Sequence, residues 1–218
     1  MADGLTVIAT PALRGLLRLP PNPARGLPLL CFLHGFDEAA PLNIHAALRR
    51  HGPLQPQAPQ AMLDRFIVAV PQLPIAGDHW RRHADEVHEL VAELRRAHGA
   101  DPSRCYVSGF SFGGNGAFDL AAQRPDVWAA VWAVDPTRLP SRELRAPAWL
   151  SIGEVSRRQA YAFIDRLQSK PPDAALLGDR IHLDEHEDHV GSARRAFADE
   201  RIYEWLLKRS LVPSAASG

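Results

Sequence analysis

The chain has 218 residues, enough for one α/β domain with a core of useful size and short for two. Basic and acidic residues balance at 25 each, so no global field draws the chain to nucleic acid or to an anionic membrane. No run of about 18 apolar residues occurs, which excludes a transmembrane helix and membrane insertion by that route. Lysine occurs only at Lys170 and Lys208, neither in a pocket motif, so Schiff-base chemistry has no support. The start Met1-Ala2-Asp3-Gly4-Leu5 lacks the basic and apolar regions of a secretory leader, and the expected location is the cytoplasm.

Residues 5–9 and 12–19 read as two opening strands with hairpin potential. Residues 27–33 form a continuous apolar run ending in His34-Gly35, as a buried central strand does. A helix is expected over 43–50, then a Pro- and Gln-rich loop over 51–61. Residues 66–70 read as the next buried strand, closed by Pro71. From 85 to 98, Val87, Leu90, Val91 and Leu94 recur at helical spacing and Gly99 supplies the stop. A strand over 104–108 leads into a helix over 113–123, followed by buried strands at 128–134 and 148–152. A helix near 157–168, a strand near 180–183 and one final helix over 191–208 complete the order. Cys31 and Cys105 both fall in strand-like apolar runs, where buried packing is their expected role. The alternation predicts one α/β domain over 1–210, its mainly parallel sheet covered on both faces, with a disordered tail over 211–218. The short link between 134 and 148 leaves no room for an inserted cap domain there.

The run Ser108-Gly109-Phe110-Ser111-Phe112-Gly113-Gly114 places G-x-S-x-G between a strand and a helix. Glycines suit it because the turn is tight and its neighbours pack close, and the turn lifts the Ser111 hydroxyl above the sheet edge. An ordinary Gly-rich βα turn is the plainer reading, and the strand–turn–helix setting argues against it. His34-Gly35-Phe36 ends an earlier strand, and a turn of this type supplies one oxyanion-binding amide, here Phe36 N–H, with Phe112 N–H as the second. His34 reads as a structural turn residue. A general base is expected after the last strand, where His182, His186 and His189 lie; His189, at the junction with the final helix, fits the role. His182 and His186 share a strand face with Asp184, but spacing of this kind is common by chance, so no metal site is expected. Asp78, His79, His83 and His88 form a second polar group without the H-E-x-x-H of a zinc peptidase. Trp80, with Phe36 and Phe112, is expected to wall an apolar substrate pocket.

These segments resemble the feruloyl-esterase, depolymerase-like and phospholipase/carboxylesterase branch of the α/β-hydrolases. The resemblance rests on Leu33-His34-Gly35, Val70-Pro71-Gln72 with Trp80, the run from Arg104 through the elbow and its helix, and His189 with Trp205-Leu206-Leu207. It spans roughly residues 28–208 and implies an α/β-hydrolase fold with a Ser–His–acid triad. One element departs from it: where the family's acid is expected, two residues after a Gly-Glu pair, stands Ser156. Asp135, ahead of Pro136 at the end of a strand, and Glu154, at the usual strand end, both remain candidates; Asp184 and Asp188 lie near the same edge. As an Asp-Pro dipeptide, Asp135 also has a plain use in starting a turn.

The combined reading is a serine carboxylesterase acting on a small-molecule ester through an acyl-enzyme, with no cofactor. A thioesterase, a peptidase or a catalytically silent binding scaffold on the same fold are the alternatives. Neither the substrate nor the oligomeric state is encoded in these motifs.

Overall fold

The computed structural model describes residues 4–156 and 180–211, with the backbone alone for 180–183. The helix expected over 157–168, the side chain of His182 and tail residues 212–218 lie outside the described residues.

Among the described residues, eight strands form one sheet in the order β1-β2-β4-β3-β5-β6-β7-β8. β1 (Leu5–Ala9) and β2 (Arg14–Arg18) make the expected hairpin, and β2 pairs antiparallel with β4 (Ile67–Gln72). The other strands run parallel: β3 (Leu29–Leu33), β5 (Cys105–Phe110), β6 (Ala130–Val134), β7 (Ala148–Gly153) and β8 (Arg180–Asp184). β3, β4, β5, β6 and β7 are buried along their whole length. Their unbroken apolar runs therefore reflect cover on both faces.

Alternation along each strand divides the core in two. On one face, Cys31, Leu33, Ala69, Cys105 and Val107 pack against α3 (Ala84–His98) and α4 (Phe112–Gln123). On the other, Phe32, Val70, Tyr106, Trp132 and Trp149 meet α1 (Ile44–Leu48), α2 (Gln60–Leu63), α5 (His189–Ala196) and α6 (Glu200–Leu207). Both cysteines are buried free thiols, and burial pushes both up in pKa. α3 ends at Gly99, whose φ of 62° is the left-handed C-cap conformation glycine adopts without cost.

Three details differ from the sequence pattern. β4 does not stop at Pro71, which pairs with Gly15 of β2 as the strand runs on to Gln72. In an antiparallel ladder a position can face its partner without donating N–H, and there proline is tolerated. The 51–61 segment is not loop throughout, because α2 begins at Gln60. The single closing helix is two helices: the chain turns at 197–199, and Asp199 restarts it by accepting the Arg201 N–H at 3.0 Å.

Candidate active site

Ser111 stands between β5 and α4 with φ 56° and ψ −118°, a conformation that non-glycine residues rarely hold. Its N–H is fixed to the Val134 carbonyl of β6 at 2.9 Å. The turn is tight because glycines line it. A methyl on Gly109 would lie 2.1 Å from the Gly113 carbonyl oxygen, and one on Gly113 would lie 1.8 Å from that of Leu33. The start of α4 thus presses directly on the end of β3.

That contact brings the His34-Gly35-Phe36 turn beside Ser111: a methyl on Gly35 would be 3.5 Å from Ser111 Cβ. Phe36 opens a 3-10 turn (Phe36–Glu38) and Phe112 opens α4. Each N–H is therefore one of the first of its helical segment and has no acceptor within it. Their rings meet edge-to-face at 5.3 Å.

His34 braces this turn. Its Nε2 accepts the Leu73 N–H at 3.0 Å, so Nδ1 carries the proton and donates to the Gly35 carbonyl at 2.6 Å. Trp80 Nε1–H donates to the His34 carbonyl at 2.9 Å. Burial drives the His34 pKa down to about 4, which keeps the ring neutral and suits a structural residue.

His189 is the first residue of α5, and its ring lies 4.5 Å from that of Phe110, the residue before Ser111. Asp188 caps the helix by accepting the Gly191 N–H at 2.7 Å, which sets the chain's entry into α5. The Nδ1 of His189 donates to Oδ2 of Asp135. Asp135 is fully buried at the end of β6 with φ 43°. Oδ1 accepts from Gly153 N–H at 3.3 Å and Oδ2 from Ser156 Oγ–H at 2.7 Å. Ser156 therefore serves the carboxylate instead of replacing it.

Comparison with solved structures matches this whole arrangement of sheet and helices. A thermostable esterase superposes with TM-score 0.68 at 18% identity, over 95% of this chain and 63% of that one, so this chain spans under two thirds of that esterase. An S-formylglutathione hydrolase from Agrobacterium tumefaciens gives TM-score 0.69 at 14% identity, over 95% of this chain and 97% of that one. This chain has the α/β-hydrolase fold. Fluorophosphonate-binding serine hydrolase F of Staphylococcus aureus matches it at TM-score 0.68 and 13% identity, over 94% and 97% of the two chains. No protein-family model and no curated protein matches the sequence.

Within this α/β-hydrolase fold, the structure does not bring the second acid candidate to the imidazole. Glu154 lies just beyond β7, is half exposed, and accepts the His186 N–H at 2.8 Å. Each acid lies one residue past its strand, but Glu154 is turned to the loop after β8, whereas Asp135 is fully buried. Trp80 lines a cleft together with Phe112, as its expected place beside that ring requires. It is buried, with its ring against Gly116, and the cleft, of about 280 Å³, is also lined by Asn115 and Arg138. The side of Phe112 is covered by His79, stacked at 5.6 Å, and by the exposed ring of Phe36. His83 pairs with Asp78 at 2.9 Å, which holds the Asp78 carboxyl down at about 2. His79 and His83 are thus used separately, and His88 accepts from Trp128 Nε1–H at 3.1 Å. Among the described residues no cluster of three or more His, Cys, Asp or Glu is arranged to hold a metal.

Asp184, named with Asp188 among the acids near this edge, is buried. Asp184 ends β8, accepts from Ser192 Oγ–H at 2.6 Å, and burial raises its pKa to about 6. A carboxyl with a folded pKa above its unfolded value near 3.8 favours the fold in its protonated form. Stability from this group is complete below about pH 4 and is lost as pH rises to about 6. Asp184→Asn, which keeps an acceptor for Ser192, is expected to gain stability relative to the parent by on the order of 2 kcal/mol between pH 4 and pH 7. Thermal unfolding of both proteins across that range checks it, and a constant difference between them would refute the assignment.

Proposed function

We propose that this protein is a serine hydrolase that cleaves a carboxylic ester through an acyl-enzyme. The observation that carries the reading is the buried Asp135 carboxylate bound to His189 Nδ1 beside a strained serine at a strand-to-helix turn. Asp135 fixes the tautomer that leaves Nε2 of His189 as the base, and it stabilises the imidazolium formed when the Ser111 proton is taken. Ser111 Oγ attacks the acyl carbon, and the Phe36 and Phe112 amides receive the oxyanion. The imidazolium then returns its proton to the leaving alcohol. Water, deprotonated by His189, repeats the attack and releases the acid.

Solved structures of the same fold carry the names esterase and fluorophosphonate-binding serine hydrolase, which agrees with this chemistry. The match to an S-formylglutathione hydrolase supports thioester cleavage as the second reading, since the acyl-enzyme route is common to both bonds. A fluorophosphonate is expected to label the protein at Ser111, mapped by mass spectrometry of the digested adduct. Turnover of p-nitrophenyl esters against matched acyl thioesters then separates the two readings. Absence of labelling, or labelling elsewhere, refutes both.

A further inference from the structure

Behind the oxyanion turn lies a second acid–imidazole pair that the triad does not use. Glu38 is buried at 3% exposure, and its Oε2 accepts the Gly35 N–H at 2.6 Å. Its Oε1 is 3.6 Å from Nε2 of His51, whose half-buried ring lies 5.0 Å from that of Phe110. Phe110 therefore touches His51 and His189 alike. The Glu38 backbone is anchored too, its carbonyl accepting from Gln72 Nε2 at 2.9 Å.

Gly35 is thus gripped at both ends, by Glu38 at its N–H and by His34 at its carbonyl. In a trans peptide C=O and N–H point in opposite directions, so holding the Gly35 carbonyl also aims the Phe36 N–H. A plain capping role explains an acid three residues after the cap of a helical turn. It does not explain why that acid is buried against an imidazole at the wall of the site.

Resting on the serine-hydrolase reading above, we propose that Glu38 is a positioning residue for the oxyanion turn, acting through Gly35, and that its ionisation with His51 beside it sets how firmly that turn is held. As a carboxylate it accepts the Gly35 amide through a charge-assisted bond; as a neutral acid it is the weaker acceptor. Burial raises its pKa to about 7, against the lowering effects of the Gly35 amide and Arg50, with Asp37 raising it slightly. His34, 3.9 Å away, stays neutral. Burial lowers the pKa of His51, as do neighbouring Arg50, His189 and Arg194. The change of state in this pair near neutrality therefore belongs to Glu38.

The test follows p-nitrophenyl acetate hydrolysis from pH 5 to pH 9. The parent protein is expected to show a several-fold step in kcat on the acid side, set by the protonation of Glu38. Glu38→Gln should remove that step and hold kcat at the several-fold lower level across the range, with KM within about twofold, because an oxyanion hole acts in the transition state. Glu38→Ala should lose roughly 10- to 100-fold in kcat. It should bind a boronic acid, which mimics the tetrahedral adduct, correspondingly less tightly. Should Glu38→Ala fail to fold, the Gln variant still decides through its profile. A Glu38→Gln profile identical to the parent's overturns the proposal. Fluorophosphonate labelling of Ser111 is read separately: its absence overturns the hydrolase reading, whereas labelling with an unchanged profile overturns only the role of Glu38.

Discussion

Asp135→Asn is expected to lower kcat for p-nitrophenyl esters by roughly 10³- to 10⁴-fold while the protein remains folded. An asparagine amide can donate to His189 Nδ1, which then surrenders its proton and leaves Nε2 protonated, the wrong tautomer for a base. Ser156→Ala removes one hydrogen bond to the same buried carboxylate, and a loss of about tenfold is expected, in line with bonds to charged groups. Glu154→Gln should stay within about twofold of the parent, because that side chain is half exposed and bonded to His186. The three variants form a ranking that steady-state kinetics reads directly. A large loss in Glu154→Gln with little in Asp135→Asn would reverse the assignment of the acid.

The second large effect is structural. Gly113→Ala would put a methyl 1.8 Å from the Leu33 carbonyl oxygen, 2.5 Å from the carbonyl carbon and 2.6 Å from the His34 carbonyl oxygen. All three are backbone atoms of the strand end that carries the His34-Gly35-Phe36 turn, so no side chain can swing aside. α4 must lift off β3, and a destabilisation of about 3 kcal/mol or more is expected. For a chain of this size that lowers Tm by about 6–12 °C. Gly26→Ala supplies the contrast. Gly26 has φ 79° but open space around its Cβ position, so only backbone strain of about 1 kcal/mol is expected. Equal melting temperatures for the two variants would refute the close-packing argument.

The two effects trace to different kinds of information. The elbow is a local device: Gly109, Ser111 and Gly113 lie within five residues, and the approach of Gly109 to Gly113 is encoded in their spacing, whereas that of Gly113 to Leu33 needs β3 alongside. The same holds for α3, whose apolar stripe and terminal Gly99 mark both its buried face and its end. The closing helix misled for a local reason as well, since the apolar pattern runs on through the break and the signal lies only in Asp199 as a cap. The role of Glu38 had a faint local trace, an acid three residues after Gly35, but its burial against His51 had none.

By itself, the sequence determined that Ser111 sits on a tight strand-to-helix turn, that a parallel sheet carries it, and that a histidine follows the last strand. Which carboxylate meets that histidine was decided only by the tertiary structure. Asp135 and His189 are 54 residues apart, and Ser156 reaches Asp135 across 21. Their meeting depends on β6 and β7 lying side by side, with Asp135 N–H bonded to the Ser151 carbonyl and α5 starting over the sheet edge. Neither Asp135 nor Glu154 differs in local pattern enough to signal this. The difference is burial and direction at a strand end, which only the packed sheet supplies.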